Sequence, residues 1–174
     1  MTQKQRKTLY PVLFFVGLFS MIFEIDIFRN TIINVLIPIA IIVVVAVISY
    51  IIDFKNYKNT YDYGKPGLYL YAVMHYVIGY GFIVCSLFMF SNFYLADQNS
   101  RTETYEIVRT SSLASGTKSR DNKKPTFRIN YKGEIKELVF SSEYYDERNE
   151  YTSVELEIRK GLFGFEVLKN KKLH

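Results

Sequence analysis

The sequence predicts a membrane α+β protein, in which three transmembrane helices precede a small antiparallel β-domain of about five strands. No charged side chain occurs between residues 35 and 52. Of the 39 charged side chains, 28 follow residue 96. The segment 154–160 alternates apolar and charged residues, which is typical of a half-buried strand. We therefore expect a transmembrane domain over 1–96 and a soluble β-domain over 97–174.

Three apolar segments are each long enough to cross a bilayer as a helix. About 20 helical residues span the roughly 30 Å of hydrocarbon. In lipid, each backbone N–H and C=O must be paired within its own segment, so even the β-branched run at 41–45 favours helix over strand. The proline at position 38 predicts a bend near Asn34. The predicted helices cover about 9–28, 32–52 and 68–95.

The first apolar segment has an alternative interpretation as a secretory signal peptide, because Lys4, Arg6 and Lys7 precede it. The residues that follow, Phe23–Phe28, lack the small-residue pair that a signal peptidase needs. We therefore favour a retained signal-anchor helix. Only about five residues separate it from the second segment, which predicts a tight antiparallel hairpin.

Basic residues near the ends of the segments predict the orientation. The N-terminal tail and the loop at 54–67 carry three Lys or Arg residues each, whereas the first hairpin loop carries only Arg29. Lys and Arg resist translocation. We therefore expect a cytoplasmic N-terminus and an extracytoplasmic C-terminal domain. The sole cysteine, Cys85, lies in the third segment, so the exported part has no thiol to oxidise.

The C-terminal half contains five segments with strand-like alternation, joined by short turns. Tight turns are expected at Lys132-Gly133 and at Lys160-Gly161, and the polar stretch 110–125 is expected to form a projecting loop. One face of this sheet must be covered by the rest of a barrel, by a partner or by the membrane surface. The predicted strands are 104–109, 126–131, 134–140, 154–160 and 161–170.

The third apolar segment contains His75, the one ionisable side chain deep within a predicted span. Such a residue is a functional candidate, because burying its charge is costly. The alternative is a neutral ring in a helix contact, and we favour it because Ala72 and Gly79 would let a second helix approach closely. The candidate functional or packing residues are His75, Tyr76, Gly79 and Tyr80.

No pattern for catalysis, cofactor binding or metal binding is present. Histidine and cysteine are scattered, and no nucleophile elbow, phosphate loop or dinucleotide fingerprint occurs. We therefore expect no enzyme activity, no cofactor and no catalytic or metal-ligating residue. Glu24 and Asp26 are interpreted as markers of the headgroup boundary rather than an ion path, and the acidic loop 141–151 as a solvated loop. The exported half carries only about +2 net charge, so no nucleic-acid partner is expected.

The segment KGLFGFEVLKNKKL at 160–173, after VELEIR, resembles the ends of small bacterial multi-pass membrane proteins of unknown function, rich in Lys, Asn, Ile and Tyr. The resemblance covers about twenty residues. It implies a bacterial membrane protein, with the plasma membrane as its location, and implies no activity.

Two hypotheses for the function remain. In the first, the helices anchor an extracytoplasmic β-module that binds or assembles with a partner in an envelope complex, without catalysis. In the second, the chain is a small oligomeric transport or channel subunit whose third span places His75 toward a lumen. The expected partners are the lipid bilayer and either another protein or further copies of this chain. We prefer the first, because one ionisable residue is thin support for a conduction path.

Overall fold

The computed structural model describes residues 1–113 and 123–174. These residues form two compact units. The helix unit comprises Met1–Phe28 and Ile33–Tyr94, and the sheet unit comprises Arg29–Ile32 and Leu95–His174. Three apolar helices followed by an antiparallel sheet confirm the predicted fold class.

Three helices make up the helix unit, and each is long and apolar enough to span a membrane. They are α1 at Gln3–Arg29, α2 at Leu36–Thr60 and α3 at Lys65–Tyr94. The second helix continues past Asp53 because Tyr57 is buried within the unit, at 5% exposure. Pro38 lies in the first turn of α2, where backbone N–H groups have no helical acceptor. It therefore removes no helical hydrogen bond, which is the loss on which the predicted bend near Asn34 depends.

The third helix changes its winding halfway along. It is α-helical over Lys65–His75, π-helical over Tyr76–Gly81 and α-helical again over Phe82–Tyr94. Single π turns inside α-helices are rare and frequently occur at functional sites. The other two helices approach this π segment closely. A methyl group added at Gly17 of α1 would lie 1.9 Å from the Ile78 carbonyl oxygen, and one added at Gly81 would lie 3.0 Å from the carbonyl oxygen of Ile42 on α2.

The sheet unit is a six-stranded antiparallel sheet that curls into a half-barrel. Its strand order is β1-β6-β5-β2-β3-β4. About five strands are predicted from the sequence; the additional one is β1, which lies between α1 and α2 in the chain and pairs with β6. The strands are β1 Thr31–Ile32, β2 Ser100–Leu113, β3 Lys124–Tyr131, β4 Glu134–Val139, β5 Ser153–Lys160 and β6 Glu166–Leu173.

The long strand β2 makes the sheet curl. Its first half, to Glu106, pairs with β5, and its second half, from Ile107, pairs with β3. A bulge between Ile107 and Arg109 separates the two halves, and bulges bend a strand and increase its twist. The curl encloses one apolar core, whose buried members are Phe127, Ile129, Tyr131, Leu138, Phe140, Val154, Leu156, Ile158 and Leu168.

Side chains link strands of the half-barrel that are not neighbours in the sheet. The Glu166 carboxylate on β6 accepts hydrogen bonds from Tyr131 Oη at 2.5 Å, Arg101 Nη2 at 2.6 Å and Lys132 Nζ at 2.9 Å. Burial alone would raise the pKa of Glu166, but these three donors outweigh it and lower the pKa to about 2. The carboxylate is therefore charged at neutral pH and holds β6 against β2 and β3.

Lysine side chains connect the two edges of the sheet. Lys136 Nζ on β4 donates to the Thr31 carbonyl oxygen on β1 at 2.8 Å. Lys171 Nζ on β6 donates to the Val139 carbonyl oxygen on β4 at 2.9 Å. No backbone ladder joins these edges in the described strands, so the unit is a half-barrel bridged by side chains.

Two predicted segments of the sheet differ from the structure. The strand predicted over 161–170 begins only at Glu166, because residues 161–165 form a turn in which Gly164 has φ +88°, a conformation that side chains disfavour. Of the predicted projecting loop, residues 110–113 belong to β2, and Lys124 and Pro125 belong to β3. Positions 114–122 of that loop lie outside the described residues.

Candidate functional site

A polar cluster joins the three helices of the helix unit around the carboxylate of Asp53. Arg6 Nη1 and Tyr10 Oη on α1 donate to it at 3.2 and 2.8 Å. Tyr76 Oη on α3 donates at 3.3 Å, and Asn56 Nδ2 on α2 donates at 2.9 Å. We call these five residues the Asp53 cluster. Because its donors come from all three helices, one carboxylate fixes their mutual positions.

His75 lies beside this cluster, inside a cage of tyrosine rings. Its side chain is 4% exposed, and Nε2 is buried without a hydrogen-bond partner among the described residues. Most buried polar atoms in proteins are hydrogen-bonded, so an orphan such as this one requires an explanation. The ring centroids of Tyr10, Tyr57, Tyr76 and Tyr80 lie 5.0 to 5.6 Å from that of His75.

The structure brings together the four residues named from the sequence. His75, Tyr76 and Tyr80 lie in or beside the tyrosine cage. Gly79 lies between the His75 ring and α1, because an added methyl group would be 3.4 Å from His75 Cε1 and 3.5 Å from backbone atoms of Leu13 and Phe14. The glycine is therefore both a neighbour of His75 and a contact between helices.

Asp53 is a member of the site that was not predicted from the sequence. The predicted second span ends at residue 52, and Asp53 follows it directly. The signal that could have found it is helical spacing, since Tyr50, Asp53 and Tyr57 recur at intervals of three and four and so share one face of a continued helix.

A second buried carboxylate, Glu24 on α1, lies in the same helix unit. Ser86 Oγ on α3 donates to Glu24 Oε2 at 2.6 Å, and Cys85 Sγ approaches Glu24 Oε1 at 3.1 Å. Ser86 Oγ also contacts Ser20 Oγ at 3.2 Å. Glu24 is 9% exposed, so its carboxylate is a buried contact between α1 and α3.

Neither polar cluster has the composition of a metal centre. Within residues 1–113 and 123–174, no group of three or more His, Cys, Asp or Glu side chains could hold a metal ion. The Asp53 cluster pairs its acid with a guanidinium and neutral donors. The Glu24 cluster supplies hydroxyl and thiol groups. Both arrangements suit hydrogen bonding between helices.

The sheet unit carries an open groove along the second half of β2. The first half of β2, to Glu106, pairs with β5, and past Ile107 only β3 pairs with it in the described part of the sheet. The side facing away from β3 is therefore an unpaired strand edge. A groove of about 760 Å³ follows this edge, lined by Glu106, Val108, Arg109 and Thr110 of β2 and by Tyr151 and Thr152.

Pro125 on β3 shows which backbone groups of β2 face the groove. It has no N–H, and its carbonyl oxygen accepts from the Phe140 N–H at 3.1 Å, on the side away from β2. Pro125 lies opposite Ser112 in the register. Because positions in an antiparallel pair alternate between bonded and non-bonded, Ser112 and Thr110 direct their own N–H and C=O groups into the groove.

The fold and these sites define a class of protein: three apolar helices able to span a membrane, joined to a curled antiparallel sheet in which β2 beyond Ile107 pairs on one side only among the described strands. Comparison with protein-family models, with curated proteins and with solved structures found no match.

Proposed function

We propose that this chain is a membrane-anchored binding module, a non-catalytic component of an envelope complex that captures an extended segment of a partner protein along β2. The observation that carries this proposal is the unpaired edge of β2 beyond Ile107 and the groove beside it. Exposed strand edges accept an added strand, and main-chain hydrogen bonds then give affinity while side-chain pockets give specificity.

The groove offers both parts of such an interaction. Thr110 and Ser112 present backbone donors and acceptors at alternate positions, the spacing that an antiparallel strand requires. Each such hydrogen bond contributes about 0.5–1.5 kcal/mol net, so a short segment needs side-chain contacts as well. Val108 is 63% exposed, and Glu106 and Arg109 supply charges of both signs. A partner segment with apolar residues and both charges at alternate positions fits this surface.

Proline at position 110 tests the strand-addition proposal. Thr110→Pro removes an N–H that faces the groove and leaves the hydrogen bonds between β2 and β3 in place. Extended peptides selected from a random displayed library on the full-length protein in nanodiscs are expected to bind Thr110→Pro at least about tenfold more weakly. Thr110→Val, which keeps the backbone N–H, is the matched control and is expected to bind normally.

The same assay separates this function from the transport alternative. The orphan Nε2 of buried His75, next to a π segment, is the observation that favours a small oligomeric transport or channel subunit. Under the binding proposal, His75→Leu leaves peptide binding unchanged. Selected peptides that are insensitive to Thr110→Pro, or a library that yields no binder, would refute strand addition.

We further propose that the protein lies in a bacterial plasma membrane, with its N-terminus in the cytoplasm and the sheet unit outside. Three basic residues in each of two flanks against Arg29 alone support this orientation. Reporter fusions after His174 and within residues 55–65 are expected to give signals on opposite sides of the membrane. Signals on the same side would contradict the orientation.

A further inference from the structure

The turn between β5 and β6 presents two large apolar side chains at its tip. Leu162 is 53% exposed and Phe163 is 49% exposed. The turn is closed by hydrogen bonds from the Gly161 N–H to the Phe165 carbonyl oxygen at 3.0 Å and from the Gly164 N–H to the Gly161 carbonyl oxygen at 2.9 Å. These bonds fix the backbone within the turn, so Leu162 and Phe163 are held in defined positions at its tip.

The first end of this turn is held close to the end of α3. The Asp97 N–H donates to the Lys160 carbonyl oxygen at 2.8 Å. Asp97 follows Tyr94, the last residue of α3, by three residues. A chain extends at most about 3.6 Å per residue, so Lys160 lies within roughly 14 Å of the point where the third apolar helix ends, the hydrogen bond included.

The second end of the turn is held close to the ends of α1 and α2. Glu166 pairs with Ile32, and Val167 pairs with Thr31. Thr31 follows the last residue of α1 by two positions, and Ile32 precedes the first residue of α2 by four. Chain connectivity therefore holds both ends of the turn near the same ends of the three candidate spans.

We propose that Leu162 and Phe163 insert into the surface of the bilayer that the helices span, so that the partner of this turn is a lipid surface. The polar headgroup region extends about 5–8 Å beyond the hydrocarbon on each side, a distance comparable to the connections that hold the turn. Aromatic and aliphatic side chains bury themselves at this depth. Lys160, at the start of the turn, places a positive charge where anionic headgroups lie.

The insertion is a second attachment of the sheet unit to the membrane, independent of the strand-binding proposal. The apolar pair is covered by lipid, and the long edge of β2 stays in water. Val108 provides the internal comparison, because it is also a large exposed apolar side chain, at 63% exposure. It lies eight residues along β2 from Ser100, which corresponds to up to about 26 Å of strand.

Tryptophan fluorescence tests the insertion directly, because the chain contains no tryptophan. Leu162→Trp, Phe163→Trp and the control Val108→Trp are each reconstituted full-length in vesicles of phosphatidylcholine with or without brominated acyl chains. The expected result is a blue-shifted emission for the two turn variants and quenching by brominated chains at least about threefold greater than for Val108→Trp. Iodide is expected to quench only the control efficiently.

Two outcomes would overturn the proposal. Emission and iodide quenching equal to those of Val108→Trp would place the turn in water. A blue shift without quenching by brominated lipid would place it against protein, either a second copy or another part of the chain. The two turn variants are interpreted only where circular dichroism matches the unsubstituted protein, and either one alone decides the question.

Discussion

A single methyl group at position 17 is expected to disrupt the helix unit. In Gly17→Ala the new Cβ would lie 1.9 Å from the carbonyl oxygen of Ile78 and 2.9 Å from its carbonyl carbon. Both are backbone atoms of the π segment, so no side-chain rotation relieves the overlap. The helices α1 and α3 must move apart, and the expected loss of stability is about 3 kcal/mol, the upper part of the usual range for overpacking.

Thermal or denaturant unfolding of the protein purified in mild detergent measures this loss. Gly64→Ala is the matched control, because nothing lies within 4 Å of an added methyl group there. Gly81→Ala is expected to fall between them, since its methyl group would lie 2.9 Å from a side-chain atom of Ile42 and 3.0 Å from the carbonyl oxygen of Ile42. Equal stabilities of the Gly17→Ala and Gly64→Ala variants would contradict the close packing of α1 on the π segment.

The close contact between Gly17 and Ile78 could not be predicted from the sequence. The sequence predicts that small residues of the third span face another helix, and Gly79 does lie against α1. The tightest approach nevertheless belongs to Gly17, because the π winding after His75 places the Ile78 carbonyl group against it. No local pattern of residues predicts a π turn, so the partner of Gly17 follows only from the three-dimensional structure.

The strands that were predicted correctly are those in which apolar and polar residues alternate along the chain. Val154, Leu156 and Ile158 share the buried face of β5 as the sequence predicts. Alternation is misleading at Phe163 and Phe165, because positive φ at Gly164 turns the chain before β6 begins. The two-residue strand β1 is too short to show any period, and only its pairing with β6 identifies it.

Of the two central residues of the candidate site, His75 was predicted from the sequence and Asp53 was not. His75 is predicted because the sequence alone shows an ionisable side chain within an apolar segment. Asp53 is missed because it follows the apolar run, and its importance depends on donors that are 43 residues earlier, in Tyr10, and 23 residues later, in Tyr76. Contacts between helices that are distant in sequence leave no local pattern.

Replacing Asp53 by leucine is expected to destabilise the helix unit by an amount comparable to Gly17→Ala. The hydroxyl groups of Tyr10 and Tyr76 donate to this carboxylate, and both tyrosines are at most 2% exposed. Asp53→Leu leaves the two buried donors without this acceptor, at a cost of about 1–3 kcal/mol each. We expect a total loss of about 2–6 kcal/mol in the free energy of unfolding in detergent.

The structure also sets the order of effects within the cluster. Tyr76→Phe removes one donor and keeps the ring in the cage, so it should cost less than Asp53→Leu, which removes the shared acceptor. Asp62→Leu is the matched control, because Asp62 is an exposed aspartate beyond the end of α2. If Asp53→Leu unfolded no more readily than Asp62→Leu, the carboxylate could not be what holds the three helices together.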